Sequence, residues 1–181
     1  MAHITWTKVV ALLAAMFLVG CASDKNVRVA DAKVNLVAVV NSVGSSLIKN
    51  TADEIPKDKA ILATSFVNID DLQRSSTFGR LVGDSIAGDL VGKGYEVIEV
   101  RLRNSLFMQP RIGEFMLSRE LMNVGAAHDA HAVLVGTYAV GGDYVYVNAR
   151  LVSVVDSRVL SSHDFRLPLN RDIRKMLTNT R

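Results

Sequence analysis

Two adjacent acids, Asp70 and Asp71, stand in a predicted loop just before a helix. As a functional site they could bind a metal or a basic partner. Side chains at successive positions diverge, however, so the two carboxylates are not placed to form an acid–base dyad. Acids before a helix also interact favourably with the positive end of its dipole. We therefore interpret Asp70 and Asp71 mainly as solvated loop acids, with a binding role as the alternative.

His128 and His131 flank Asp129 at a predicted helix-to-strand junction. Two histidines three residues apart can share a metal on a helix. Here the helix is predicted to end at this point, and no third ligand stands at a matching spacing. The sequence also lacks a Walker pattern, a nucleophile elbow, a dinucleotide fingerprint and paired CxxC motifs. We therefore expect no catalytic residue, no metal and no cofactor, and rank an enzyme using these acids and histidines below a binding protein.

The one cysteine, Cys21, lies at the end of an apolar segment. Lys8 precedes an unbroken apolar run, Val9–Val19, which is too short to span a membrane and is typical of a signal peptide. The run leads into Leu18-Val19-Gly20-Cys21, which resembles the bacterial lipobox. That resemblance implies cleavage before Cys21 and a lipid on its sulfur; Ala22, rather than an acid, favours the outer membrane. The alternative is an ordinary secretory signal followed by a cysteine that is buried or present by chance.

Length and composition are typical of one globular domain with a leader. The chain has 181 residues, 49% of them hydrophobic, which suffices for a core. A net charge of +3, without a block of five basic residues, argues against a nucleic-acid partner. We predict a lipoprotein signal peptide over residues 1–20, a lipidated tether over 21–32, an α/β domain over 33–168 and a short basic tail or helix over 169–181.

The predicted domain is organised around one βαβ unit. Its parts are a strand at Ala60–Asn68, a polar loop at Ile69–Arg74, a helix at Phe78–Lys93 and a second strand at Tyr95–Leu102. Ser75, Ser76 and Thr77 offer N-caps for this helix. It presents one apolar, glycine-containing face, formed by Gly79, Val82, Gly83, Ile86 and Leu90. We expect its glycines to allow a close approach to the sheet.

A helix at Lys33–Lys49 precedes this unit, and an irregular segment, Arg103–Leu117, follows it. A further helix and a three-strand meander complete the chain. In the long strand from Tyr144, one side is formed by Val145, Val147, Ala149 and Leu151, and the other side by Tyr144, Tyr146, Asn148 and Arg150. The predicted order is α-β-α-β-α-β-β-β, a mixed α/β sheet with helices mainly on one face.

Several arginines lie near apolar residues in and after the βαβ unit. Arginine beside exposed aromatic residues is the composition of a protein interface, although ordinary surface charge is equally compatible. The candidate partner-binding residues are Asp70, Asp71, Arg74, Arg101 and Phe107.

Several segments together resemble the FlgO family of flagellar outer-membrane lipoproteins over roughly residues 33–168. They are Ser65–Leu72, Gly94-Tyr95, Glu99–Leu102, Gly113–Leu121, Val135–Tyr138 and Val147–Val152. The resemblance implies a lipid-anchored periplasmic domain, similar to the amino-terminal domain of the Tol translocation protein, that supports flagellar assembly or motility. It implies as partners the basal-body rings or another outer-membrane lipoprotein, and association with further copies of the chain stays open. The alternative is a binding module of another envelope complex, Tol-like or curli-secretion-like.

Overall fold

The computed structural model describes residues 33–49, 51, 53–100, 108–111, 114–117 and 119–179. The predicted signal peptide and tether lie outside the described residues. So do the lipidation candidate Cys21 and two of the partner-binding candidates, Arg101 and Phe107.

The described residues form helices and strands in mixed order. They are α1 (Leu36–Lys49), β1 (Ala60–Ala63), β2 (Val67–Asn68), β3 (Asp71–Ser75), α2 (Thr77–Gly92), β4 (Val97–Glu99), β5 (Met108–Arg111), β6 (Glu114–Leu117), α3 (Arg119–Ala127), β7 (Ala130–Val140), β8 (Tyr144–Ser153), β9 (Val159–Pro168) and α4 (Arg171–Thr178).

Strand β7 is the centre of the sheet. Strands β1 and β2 lie end to end along one side of it, both parallel to it, and β8 lies antiparallel along the other side. The sheet continues from β1 to the parallel β4, from β2 to the antiparallel β3, and from β8 to the antiparallel β9. The predicted βαβ unit is therefore β1–α2–β4, and the predicted meander is β7–β8–β9.

Hydrophobic clusters cover both faces of this sheet. On one face α1, α2 and α4 pack on a core that includes Leu47, Ile86 and Leu134. On the other face α3 packs Leu121 against a smaller cluster that includes Leu62. Each such buried side chain contributes roughly 1.5–3 kcal/mol to stability. The mixed α/β class with helices mainly on one face is thus confirmed.

Helix α2 has the start and the buried face that its sequence predicts. Ser76 caps it, because its Oγ accepts a hydrogen bond from the Gly79 N–H at 3.2 Å. A Cβ atom on Gly83 would lie 2.6 Å from the Thr64 carbonyl oxygen, so this glycine does permit close approach to the sheet. Near the helix end, Asp89 and Lys93 form an ion pair at 3.6 Å.

The predicted continuous strand Ala60–Asn68 is wrong, because the chain leaves the ladder between β1 and β2. Thr64 Oγ1 donates to the Leu134 carbonyl at 2.9 Å. The Phe66 N–H then donates to the carbonyl of Gly79 in α2 at 3.1 Å instead of to β7. The apolar run therefore forms two short strands with Phe66 in the break between them.

The predicted polar loop Ile69–Arg74 is also wrong, since most of it is strand β3. The Asn68 Oδ1 accepts the Asp70 N–H at 3.0 Å, which closes a tight turn. The Ser75 Oγ donates to the Phe66 carbonyl at 2.9 Å and holds the returning strand. Asp70 therefore lies on a hairpin tip.

Other element ends differ from prediction for local reasons. Helix α1 begins at Leu36 because the Asn35 side chain accepts the Ala38 N–H at 3.1 Å and acts as a cap. The segment Arg103–Leu117, expected to be irregular, contains the β5–β6 hairpin.

The end of the chain includes a packed helix. Asn170 caps α4 by accepting the Ile173 N–H at 2.9 Å, and Ile173 is buried. This agrees with the predicted helix near the C-terminus.

Candidate functional site

One half of the sheet face under α3 is not covered by a described helix. Helix α3 has nine residues and is about 14 Å long, whereas the eleven residues of β7 extend about 36 Å. The α3 cluster includes Val133 and Val135 from the first part of β7. Thr137 and Ala139, further along on the same side of β7, lie beyond that cluster and line an open surface.

This uncovered area is an open groove of about 490 Å³. We call it the sheet groove, and its lining residues are Ile69, Thr137, Ala139, Tyr146, Val147, Asn148, Asp164, Phe165 and Arg166. Its surface is largely apolar, with a few polar groups from β8 and β9. Tyr146 stands out in the groove, with 49% of its surface exposed.

The polar groups of the sheet groove hold one another in place. The Asn148 Nδ2 donates to the Ser162 Oγ at 3.2 Å and also to the Asp164 carboxylate. The Arg166 guanidinium lies 4.6 Å from the centre of the Tyr144 ring, within cation–π range. Aromatic and arginine side chains in an ordered frame are typical of the centre of a protein-binding surface.

The β2–β3 hairpin tip borders this groove and carries candidates from the sequence. Ile69, 46% exposed, lines the sheet groove, and Asp70 and Asp71 next to it are exposed. Arg74 instead lines a second, smaller cavity of about 270 Å³. That cavity lies between the hairpin, β7 and α4, where Leu177 also lines it. The hairpin thus brings Ile69 to the sheet groove and Arg74 to the second cavity, while Asp70 and Asp71 follow Ile69 in the chain as exposed residues that line neither.

The histidines do not gather into a metal site. Asp129 between them adopts a left-handed backbone conformation with φ of 49° and forms an ion pair with Lys59 at 2.5 Å. The hydrogen bond that the Lys59 ammonium donates to the Asp129 carboxylate raises the pKa of Lys59 above its ordinary value. His128 is exposed and His131 is half-buried. In the part of the chain that the structure describes, no group of three or more His, Cys, Asp or Glu side chains could hold a metal ion.

The alternation in the sequence placed Tyr144, Tyr146 and Asn148 together on one side of the strand, but it did not reveal that Tyr146 and Asn148 line a groove. The usable signal was the short predicted helix before β7, which cannot cover the full length of that strand. Asp164 and Arg166 were not singled out, because their role depends on the register between β8 and β9.

No helix among the described residues is both long and apolar enough to cross a membrane.

Several solved structures are similar to this chain at low sequence identity. The C-terminal domain of LpoB from Salmonella enterica has a TM-score of 0.51 and 12% identity, covering 71% of this chain and 94% of that one. The same domain of LpoB from Escherichia coli has a TM-score of 0.45 and 14% identity, covering 71% of this chain and 97% of that one. Lipoprotein GNA1162 from Neisseria meningitidis has a TM-score of 0.42 and 18% identity, covering 65% of this chain and 84% of that one. At these identities the likeness concerns the fold alone.

Comparison with curated proteins gives no match. The FlgO protein family matches residues 41–172. This span runs from α1 into α4 and includes the hairpin tip and the sheet groove. The chain therefore belongs to the FlgO protein family.

Proposed function

We propose that this protein is a non-enzymatic outer-membrane lipoprotein that supports flagellar assembly, stability or motility by docking at the basal body. The observation that carries the proposal is the FlgO family match over residues 41–172. The lipobox-like quartet ending in Cys21 supports the location, because two or more acyl chains give stable membrane anchoring.

The predicted tether would keep the domain close to the membrane. Twelve residues lead from Cys21 to Lys33, the first described residue. A fully extended chain of that length spans at most about 43 Å. Lys33, where the described domain begins, would therefore lie within that distance of the inner leaflet of the outer membrane, and we place the basal-body contact within the reach of the domain from there.

The docking surface that we propose is the sheet groove together with the hairpin tip. Its partner is a protein surface that brings apolar side chains to Tyr146 and Ala139 and a basic group to Asp70. The exposed carboxylate of Asp70 supplies the charge complementarity. The hydrogen bonds of Asn148 order the groove before binding, which lowers the entropic cost of association.

Gene deletion with complementation tests the function. The deletion strain should swim poorly and show an altered basal structure by electron cryotomography, and the full chain should restore both. Normal swimming with an unchanged basal body would contradict the flagellar proposal and favour another envelope complex.

Lipidation has a separate test. Changing Cys21→Ser should abolish incorporation of a labelled fatty acid and release the protein from the outer membrane, while the chain still folds. Cys21 is the only cysteine, so Ser46→Ala on the surface of α1 serves as a matched variant that retains labelling. Persistent labelling of the Cys21→Ser chain would contradict the lipobox interpretation.

A further inference from the structure

Strand β9 has an outer edge with which no described strand pairs. It is ten residues long and pairs only with β8 among the described strands. Long edges of this kind offer a row of backbone donors and acceptors to another strand, and proteins usually shorten, bend, charge or cover them. The charges on this edge, Asp164 and Arg166, are of opposite sign, so a second edge of matching register would be attracted rather than repelled.

The register fixes which residues turn their backbone groups outward. The Leu169 N–H donates to the Asp143 carbonyl at 2.8 Å, directly beyond the paired residues Tyr144 and Pro168. Because hydrogen-bonded pairs alternate in an antiparallel ladder, the odd-numbered residues from Ser161 to Leu167 bond to β8; a register shift interrupts the ladder before Ser161. Even-numbered residues, including Asp164 and Arg166, point their N–H and C=O groups outward. Pro168 is one of these outward-pointing residues. It has no N–H to donate, but at this position the β8–β9 ladder needs none from it.

We propose that β9 pairs antiparallel with β9 of a second copy of this chain, about a two-fold axis at Phe165. In this register Asp164 lies opposite Arg166 of the second copy, and Arg166 lies opposite Asp164 of that copy. Two opposite-charge pairs therefore form across the junction, and such cross-strand pairs are favourable. The charges select this register over its neighbours.

Neighbouring registers with the same hydrogen-bonding parity are less favourable. Centring the axis on Asp164 places two aspartates opposite each other, and centring it on Arg166 places two arginines opposite each other. Centring it on His163 pairs Arg166 with Leu160 and makes no ion pair.

The helix that packs beside this edge, α1, has an uncharged flank. The Ser45 Oγ donates to the Asp89 carboxylate of α2 at 3.3 Å, so this flank of α1 faces inward. Leu36, Val39 and Ser46 lie on the opposite flank at helical spacing and carry no charge. Leu36 and Val39 are half-buried, and α1 packs on β8 and β9. The dimer would bring these uncharged flanks together.

A charge exchange tests the register in the detergent-solubilised full chain. By sedimentation, the unaltered chain should be a dimer. Arg166→Asp should be monomeric because it places four acids at the junction. Asp164→Arg should be monomeric because it places four arginines there. The chain carrying both changes should recover the dimer, because the pairs are restored with reversed polarity.

The exposed intrachain pair Glu54–Arg158, at 3.3 Å, provides a matched control. Exchanging those two charges should leave the dimer unchanged. Circular dichroism establishes that each variant folds. A monomeric unaltered chain would overturn the proposal, and so would dimers that persist in either single variant or a folded double variant that stays monomeric.

Cross-linking supplies an independent readout in the native envelope. Phe165 is hydrogen-bonded to β8, so it would face Phe165 of the second copy as a non-hydrogen-bonded pair, with Cα atoms about 4.5 Å apart. This separation suits a disulfide. Phe165→Cys should give an oxidised dimer, whereas Val155→Cys, at a site 82% exposed in the β8–β9 turn, should not. Equal cross-linking at both sites would overturn the proposed axis.

Discussion

The ring of Phe66 occupies the space that a side chain at Gly136 would need. A Cβ atom on Gly136 would overlap three atoms of that ring. Phe66 is fully buried in the break between β1 and β2, and Gly136 lies in β7, between its two partner strands. The break in the strand, the inserted ring and the glycine therefore form one packing unit.

Gly136→Ala should destabilise the fold because it inserts a methyl group into this packed space. We expect the free energy of unfolding to fall by about 1–3 kcal/mol, as for other overpacked cores. Chemical denaturation measures the loss. Gly142→Ala is the control, because no atom lies within 4 Å of a Cβ at that turn position. Adding Phe66→Leu to Gly136→Ala should recover part of the lost unfolding free energy. If the losses of the two single variants simply added in the double variant, the proposed contact would be contradicted.

Two glycines of α2 should respond in opposite directions to alanine. At Gly88 a Cβ meets no atom within 4 Å, so Gly88→Ala should stabilise the domain by about 0.5–1 kcal/mol through helix propensity. At Gly83 the new Cβ would meet the Thr64 carbonyl of the backbone, so Gly83→Ala should be destabilising. Thermal unfolding of the two variants compares them directly. If both variants shifted the unfolding temperature equally and in the same direction, the contact of Gly83 with the sheet would not be the cause of the predicted difference.

The sequence predicted the elements whose patterns are local. Helix α2 was recognisable from its serine cap and its apolar spacing, and β8 from the strict alternation that begins at Tyr144. The βαβ unit followed from the order of these segments. These features depend on neighbours within a few residues, and such patterns are visible without tertiary structure.

The break at Phe66 and the hairpin after Asn68 could not be predicted in the same way. The run Ala60–Asn68 is uniformly compatible with a strand, and only the contacts of Phe66 with α2 and with Gly136 reveal the break. The sheet groove depends on how far α3 extends along β7, and its polar frame depends on the β8–β9 register. Long-range pairing of this kind leaves no local signal.

The carboxyl group of Asp156 should titrate below its usual range. A hydrogen bond with the Ser153 side chain is the main cause of this lowered pKa, and the Arg158 N–H adds a second bond at 3.1 Å. A pKa lowered by folding means that the ionised group stabilises the fold above the unfolded-state pKa. This stabilisation is lost as the pH falls through the folded-state pKa. Carboxyl carbon NMR titration should show the low value, and Ser153→Ala should raise it; an unchanged value would contradict the assigned cause.

Changes at the docking surface should weaken motility without affecting folding or anchoring. Asp70→Lys reverses the charge that we propose to meet a basic group, and Tyr146→Ser removes the exposed ring of the sheet groove. Each variant, expressed as the full chain in the deletion strain, should give swimming rings close to those of the deletion strain. Asp53→Lys and Val155→Ser are the matched controls, because both residues are exposed in turns and line neither described groove. Folded, lipidated variants that swim as well as these controls would place the partner contact elsewhere.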